Sequence, residues 1–396
     1  MTFSYKSQNS SFFSVDSHDL SKSANADIRW QLSQSKLLLR ITSAALCFAF
    51  VVVCLGAFTR LVHAGLGCPD WPGCYGHLTW PDSHHEIAAA EQAFPESPVD
   101  TSKTWPEMVH RYAASILGLL ILIIAVVSVR VRLKKVDSSH PFWLPLGLLV
   151  LVICQALFGM YTVTLKLWPQ VVTLHLLGGF ATVSLLWLLA LRLRTLVYIG
   201  RQKTAAKPIE NTITSTSKSL QPRSLGFIKS LSWCAVAVVS FQIALGGWTA
   251  SNYAGFACHD FPTCQNQIIP NMNFSEGFNL TQSIGPNYLG GLLEGPARTA
   301  IHVTHRIGAA VTLFIVLALA ITLLRNTSLK KSSYFLMTVL TIQLVLGISN
   351  VLLAIPLTIA LLHNLFGAIL LLTVIYVSYQ LISINKQTLI SKSINN

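Results

Sequence analysis

Long apolar runs, separated by shorter polar stretches, occupy most of this 396-residue chain. A run of about 18 or more apolar residues is long enough to cross a membrane as a helix. Eight such runs are present, at about 39–62, 107–130, 142–163, 170–192, 227–250, 298–324, 333–353 and 358–380. The pattern predicts an all-α integral membrane protein with eight transmembrane helices.

The polar stretches predict the remaining organisation. Residues 1–35 are rich in Ser and have no apolar segment close to the first Met, which predicts a disordered cytoplasmic tail and not a cleaved signal peptide. A basic, Thr- and Ser-rich linker is predicted at 195–226, and a second cytoplasmic tail at 384–396. An Ala-rich piece from Glu86 to Phe94, in the loop after the first run, is predicted to form a short surface helix.

Only 11% of the residues are charged, yet the formal net charge is +13. The basic residues cluster in alternate loops, near 130–135, 192–229 and 325–331, and near both ends of the chain. The intervening loops hold little beyond Lys103, Lys166 and Arg298. This is the positive-inside distribution of a membrane protein, so both termini are predicted to be cytoplasmic and no nucleic-acid binding is implied.

The second half of the chain repeats the first. Residues 246–264 match residues 56–74 at a constant offset of 190, and each segment contains a CxxxxxC motif. Each half holds four apolar runs, and an even number of spans gives both halves the same topology. The repeat predicts two pseudo-symmetric four-helix bundles, at 36–194 and 227–383.

Four histidines follow the same repeat. Each lies near the start of an apolar run, and a histidine inside a membrane helix is costly unless something binds it. The pairs are His110 with His175 in the first half and His305 with His363 in the second. A lone histidine at such a place is more often simply packed or hydrogen-bonded, but the duplicated register favours ligands. Zinc would need further ligands at this depth, so the sequence predicts two haem sites, each held by two imidazoles from two helices.

A carboxylate distinguishes the two halves. Glu107 lies three residues before His110, on the same face of the predicted helix. The matching region of the second half has Ile301 and His302, and His302 is a candidate to support the ligands from a neighbouring position. We therefore expect chemistry in the first half and electron storage in the second. The alternative is that Glu107 caps its helix N-terminus, where negative charge is favoured.

Three arginines lie close to these histidines. Arg111 and Arg306 directly follow the first histidine of each pair, and Arg60 ends the first apolar run. They are predicted partners of haem propionates, which are anionic. Interfacial anchoring of long basic side chains is the alternative.

Two cysteine pairs lie in the predicted external loops, Cys68 with Cys74 and Cys258 with Cys264. Paired cysteines on the oxidising side of a membrane are expected to form disulfide bonds. A structural cross-link and a redox-active pair both remain open on spacing alone.

The combination of Glu-x-x-His-Arg, a histidine opening the fourth span, a second His-Arg and His, and the CxxxxxC loops resembles the haem A synthase family. The resemblance covers about residues 40–380; the long first tail and the long external loops depart from the family pattern. It implies conversion of haem O to haem A for cytochrome oxidases in a bacterial inner membrane. The methyl at ring position 8 would be oxidised in two steps to a hydrated aldehyde, which loses water to give a formyl group.

The resemblance also implies roles for individual residues. His110 and His175 would ligate the substrate haem O beside the catalytic carboxylate of Glu107, while His305 and His363 would ligate a permanent haem b. The four cysteines would form disulfide bonds within each loop. A docked haem O synthase, the electron donor and a homo-oligomer are left open by the sequence.

Three other functions compete with this one. A di-haem cytochrome that carries electrons across the membrane is disfavoured because all four histidines are predicted near one face. A thiol-disulfide oxidoreductase would leave the buried histidines unexplained. A transporter built from repeats would favour Pro- or Gly-broken helices in matching positions, which are lacking.

Overall fold

The computed structural model describes residues 17–134, 140–204 and 222–395, and within these ranges the regular structure is helical. The helices are α1 (Ser17–Leu61), α2 (His84–Ala93), α3 (Thr101–Leu133), α4 (Trp143–Thr164), α5 (Pro169–Thr204), α6 (Pro222–Ser251), α7 (Phe274–Gly277), α8 (Gly295–Leu324), α9 (Lys330–Leu352) and α10 (Leu357–Asn395). Eight of the described helices are long and apolar enough to cross a membrane. The predicted fold class is confirmed.

The long helices pack as two groups of four. In the first half α1 contacts α3 and α5, and α4 contacts the same two helices. In the second half α6 contacts α8 and α10, and α9 again contacts both. The halves meet where α1 and α5 lie against α10, and α5 against α6. This arrangement is consistent with the two four-helix bundles that the repeat predicts.

Each bundle has its own apolar core, while many large apolar side chains point outward. Leu148 and Leu186 are fully buried in the first bundle, and Val316 and Leu336 in the second. Outward-facing side chains such as Phe314 are 69% exposed. An apolar exterior is expected where the surrounding solvent is lipid, and it is consistent with a membrane environment.

The first helix begins earlier than predicted. The disordered tail expected up to residue 35 is wrong for residues 17–35, which belong to α1, whereas residues 1–16 lie outside the described part. The helix is held because its side chains pack on neighbours. Leu32 contacts the backbone at Gly200 of α5, and the Trp30 ring lies 4.5 Å from the Lys134 ammonium.

The other predicted polar segments are also partly helical. Helix α5 continues to Thr204 and α6 starts at Pro222, so both ends of the linker predicted at 195–226 are helical and residues 205–221 lie outside the described ranges. Helix α10 continues to Asn395, through the tail predicted from residue 384. The short surface helix predicted near Glu86 is present as α2, with a capping box between Ser83 and Glu86.

Contacts between repeat-related residues mark where the halves meet. His63 and Tyr253 are 190 positions apart, the repeat offset, and their rings stack with centroids 5.5 Å apart. Arg60 donates a hydrogen bond to the carbonyl of its own counterpart, Ala250. Two residues related by an internal twofold can touch only near its axis, so these contacts are expected if such an axis passes between α1 and α6, along the bundles.

Candidate functional site

His110 of α3 and His175 of α5 face each other inside the first bundle. Their ring centroids are 6.5 Å apart and the ring planes are nearly perpendicular, at 89°. Metal–imidazole bonds of about 2 Å allow two rings to share one metal ion at roughly this separation. The structure therefore brings the first predicted pair together in a geometry that suits one shared ion.

A glycine of the neighbouring helix lies against each of the four histidine rings. A Cβ atom added at these glycines would lie close to the Cε1 atom of the ring in every case. The distances are 2.8 Å for Gly56 and His110, 3.4 Å for Gly159 and His175, 3.2 Å for Gly246 and His305, and 3.1 Å for Gly347 and His363. The same small-residue seat thus occurs four times, at matching positions of the repeat.

The rings also keep nitrogen atoms that no protein group satisfies. Nδ1 of His110, of His175 and of His363 is buried without a hydrogen-bond partner. A buried polar atom in that condition costs roughly 1–3 kcal/mol. Within the described residues, no group of three or more His, Cys, Asp or Glu side chains converges as a metal site. Pairs of neutral imidazoles in apolar surroundings fit haem iron better than zinc.

The second pair is accompanied by glutamine side chains. Gln242 of α6 donates from Nε2 to the His305 carbonyl over 2.9 Å, and the same nitrogen lies 3.0 Å from Nδ1 of His305. Gln343 of α9 lies 3.5 Å from Nε2 of His363. The sequence did not single out these glutamines, because a single amide inside an apolar run has many structural uses. Comparison of the two halves could have drawn attention to them.

Glu107 is buried on α3, one turn before His110, and is tied to its surroundings through both oxygens. Oε1 accepts from Arg111 over 2.5 Å and Oε2 accepts from the backbone N–H of Cys68 over 3.0 Å. Helix α3 begins at Thr101, with Asp100 as its N-cap. The alternative that Glu107 caps this helix is therefore wrong, because Glu107 lies beyond the first turn.

His302 occupies the position of Glu107 in the second half, at the same offset that relates His305 to His110. It is also buried, and its Nδ1 lies 3.0 Å from the carbonyl oxygen of Ala254. Glu107 thus binds the first cysteine of its loop, and His302 binds the segment that precedes the second loop. Only Glu107 has a carboxylate.

The arginines that follow the histidines hold the cysteine loops. Nη1 of Arg111 donates to the carbonyls of Asp70, Pro72 and Gly73 at 3.1, 3.2 and 2.5 Å. Arg306 donates to the carbonyls of the second loop, Thr263 at 2.8 Å and Asp260 at 3.0 Å. Sequence analysis missed this anchoring, although the matching arginines and loops could have suggested it.

Arg60 contacts the other half of the protein. Its guanidinium lies 4.0 Å above the centre of the Tyr253 ring and donates to the Ala250 carbonyl. Each of the three arginines thus binds other groups of the protein. Their predicted contact with haem propionates stays a prediction.

Both predicted disulfide bonds are present, Cys68–Cys74 and Cys258–Cys264. An aspartate organises each loop: Asp260 accepts from the Thr263 hydroxyl and from the backbone N–H groups of Gln265 and Asn266. The Thr263 hydroxyl contributes most, and these hydrogen bonds lower the pKa of Asp260 below its ordinary value. The loops are therefore built alike in the two halves.

Comparison with known proteins agrees with this organisation. Residues 39–375 match the family of cytochrome oxidase assembly proteins designated COX15-CtaA. The chain is 42% identical over 342 residues to the heme A synthase of Shewanella oneidensis, an alignment that covers 86% of this chain and 95% of the relative. It is 28% identical to the heme A synthase of Rickettsia akari, covering 86% and 96%, and 28% identical to that of Nitrosomonas eutropha, covering 83% and 88%. The family match extends from within α1 to within α10, and the chain therefore belongs to the haem A synthase family of cytochrome oxidase assembly proteins.

Proposed function

We propose that this chain is a haem A synthase, an oxidoreductase that converts the ring methyl of haem O into the formyl group of haem A for cytochrome oxidase. The observation that supports this most directly is the pair of buried imidazoles at His110 and His175, seated on glycines and accompanied by a buried carboxylate. The names of the relatives point to the same activity.

The two halves are assigned different roles. The first half would hold haem O as substrate, because Glu107 places a carboxylate beside His110. The second half would hold a permanent haem b between His305 and His363, since a neutral His302 replaces the carboxylate there. When bound, a haem at His305 and His363 supplies one-electron redox chemistry.

Glu107 is proposed as the proton acceptor of the reaction. Converting a methyl group to a formyl group breaks C–H bonds, and a hydrogen that leaves as a proton needs an acceptor in the substrate site. Oε1 of Glu107 is the assigned acceptor, and the ion pair with Arg111 keeps the buried site close to neutral. The Cys68 N–H fixes Oε2 and so orients the carboxylate.

The loop closed by Cys68–Cys74 is proposed to shield the substrate site from water. Cys68, Cys74, Tyr75 and Met108 form one buried apolar cluster over the start of α3. Arg111 and Glu107 tie the loop to the helix that carries His110. An apolar, water-poor site favours the binding of a porphyrin and limits side reactions.

The orientation in the membrane follows from charge. Basic residues concentrate in the loops opposite the disulfide loops, so we place both termini in the cytoplasm of a bacterial cell and the four histidines toward the outer face of the inner membrane. A haem O synthase that delivers the substrate and an electron donor are the partners that this role requires, and a homo-oligomer is compatible with it.

The test is to express the full chain with a supply of haem O, purify it and separate its extracted haems by chromatography. Haem A, together with haem b, is expected. A matched preparation of the His110→Ala, His175→Ala double variant should keep haem b and form no haem A. Haem b as the sole haem in the wild-type protein would instead favour a di-haem electron carrier.

A further inference from the structure

The halves differ at one polar position beside the first histidine of each pair. Gln242 of α6 corresponds to Val52 of α1 at the offset of 190 that also aligns Gly246 with Gly56. Those two glycines contact His305 and His110 in the same way. One turn away along the helix, therefore, the second half has an amide where the first half has an isopropyl group.

The amide of Gln242 is bound to His305 and not merely near it. Its Nε2 reaches both the backbone carbonyl and Nδ1 of His305, at 2.9 and 3.0 Å. Its Oε1 is buried and has no hydrogen-bond partner. In the first half, no side chain is hydrogen-bonded to Nδ1 of His110. Thus the first histidine of the second pair is restrained by a neighbouring side chain and its counterpart is not.

The halves also differ at a second position, and this difference fits the first one. Gly308 lies against the Gln242 amide, and a Cβ atom added there would collide with Oε1. The equivalent residue of the first half is Ala113, which is buried in the core. The second half thus combines Gln with Gly, and the first combines Val with Ala. Because Gly308 has no side chain, it leaves room for the amide of Gln242.

We propose that Gln242 is a positioning residue that retains the haem of the second half by holding the imidazole of His305, an inference that rests on the proposed function. An imidazole bound to iron through Nε2 carries its proton on Nδ1 and needs an acceptor there. The unpartnered Oε1 of Gln242 supplies it when the amide turns over. The Val52 side chain has no polar atom and cannot hold the His110 ring in this way, so the first half is left freer to exchange its haem.

The experiment uses the full chain, purified with its haems in detergent. Four variants are compared with wild type: Gln242→Val, Gly308→Ala, the double variant that reproduces the first-half pair, and Ser240→Ala as a control. Ser240 lies on the same helix and its hydroxyl donates only to the Val236 carbonyl of that helix. The readouts are the rate at which haem b passes to excess apomyoglobin and the reduction potential of the haem b that remains.

Loss of a hydrogen bond to a metal-bound histidine typically weakens metal binding by about 10–100-fold. Gln242→Val should therefore lose haem b about 10–100-fold faster, with a more positive potential because the imidazole becomes less basic. Gly308→Ala should change both readouts in the same direction, since it displaces the amide. Ser240→Ala should match wild type.

The double variant separates hydrogen bonding from packing. It refills the space left by the amide, so continued haem loss supports the hydrogen bond as the cause. Haem retention and potential at wild-type values in the double variant, or in Gln242→Val alone, would overturn the inference. Wild-type protein that forms haem A while Gln242→Val keeps haem b normally would refute only the role of Gln242. A histidine-ligated haem b that depends on Gln242, without haem A formation, would refute only the proposed function.

Discussion

The glycine seats beneath the histidines allow a graded test of both sites. Adding a methyl group at Gly56 would place it 2.8 Å from Cε1 of His110, closer than carbon atoms normally approach. At Gly159 the same methyl group would lie 3.4 Å from His175, in ordinary van der Waals contact. Gly56→Ala and Gly159→Ala thus perturb the two proposed ligands of one site by unequal amounts.

The expected sizes follow from the contact. Extra volume in a packed interior typically costs about 1–3 kcal/mol, and a histidine ring relieves it more easily than a helix backbone does. The His110 ring should therefore turn away from His175, which weakens haem O binding by about 5–150-fold at roughly 1.4 kcal/mol per factor of ten. Replacing Gly by Ala inside a helix also stabilises the fold, by about 1 kcal/mol. Gly56→Ala should consequently lose haem affinity without losing thermal stability.

The assay is titration of haem O into each purified variant, with thermal unfolding measured in parallel. Gly159→Ala is the matched control, and it should bind haem O within about twofold of wild type, since the new methyl group makes an ordinary contact. In the second half, Gly347→Ala and Gly246→Ala, at 3.1 and 3.2 Å, should fall between these two in their effect on haem b. Equal haem O affinity in Gly56→Ala and Gly159→Ala would refute the assignment of these glycines as ligand seats.

Three further predictions test other parts of the structure. Glu107→Gln should leave haem O bound but stop formation of the formyl group, as measured by haem chromatography; undiminished conversion would remove Glu107 from catalysis. Arg60→Ala should lower the free energy of unfolding by about 1–2 kcal/mol, because a charged hydrogen bond between the halves is lost, and an unchanged unfolding midpoint would contradict this. Hydrogen bonds keep the pKa of Asp260 below its ordinary value of 3.8, so its contribution to the loop is present above that pH and is lost as pH falls through the lowered pKa. Phosphine reduction of Cys258–Cys264 should accelerate in that acidic range, and Asp260→Asn should remove the acceleration.

The membrane helices were predictable because lipid imposes one simple requirement on each of them. A spanning segment must be apolar over its whole length, so all eight were found from the sequence, within a few residues at most ends. The helix ends that extend beyond the apolar runs depend on contacts with other parts of the protein. The early start of α1 depends on Trp30 and Leu32 packing against residues distant in sequence, and local composition does not contain that information.

The candidate ligands were predictable for a different reason, because the two halves of the chain can be compared with each other. Each histidine has a counterpart in the other half, at an offset of 195 for His110 and 188 for His175, and this duplication distinguishes candidate ligands from isolated core histidines. Hydrogen-bond partners were not accessible in this way. That Arg111 donates to the carbonyls of the Cys68–Cys74 loop depends on how the loop folds back over α3, which is a property of tertiary structure.

The comparison of the halves also indicates which features serve the scaffold and which serve chemistry. Under the proposed function, the features that both halves share must suit a site that exchanges its haem as well as one that retains it. Arg111 and Arg306 make the same contacts with their loops, so their shared role is to hold those loops in place. The features that differ, Glu107 against His302 and Val52 against Gln242, are then the candidates for the different proposed roles. The first half has the carboxylate of Glu107 and an apolar side chain at Val52, whereas the second half has no carboxylate at the matching place and an amide at Gln242 that contacts His305. These two differences fit the proposed function, in which one bundle of the duplicated pair holds the reacting haem and the other holds a haem that stays bound.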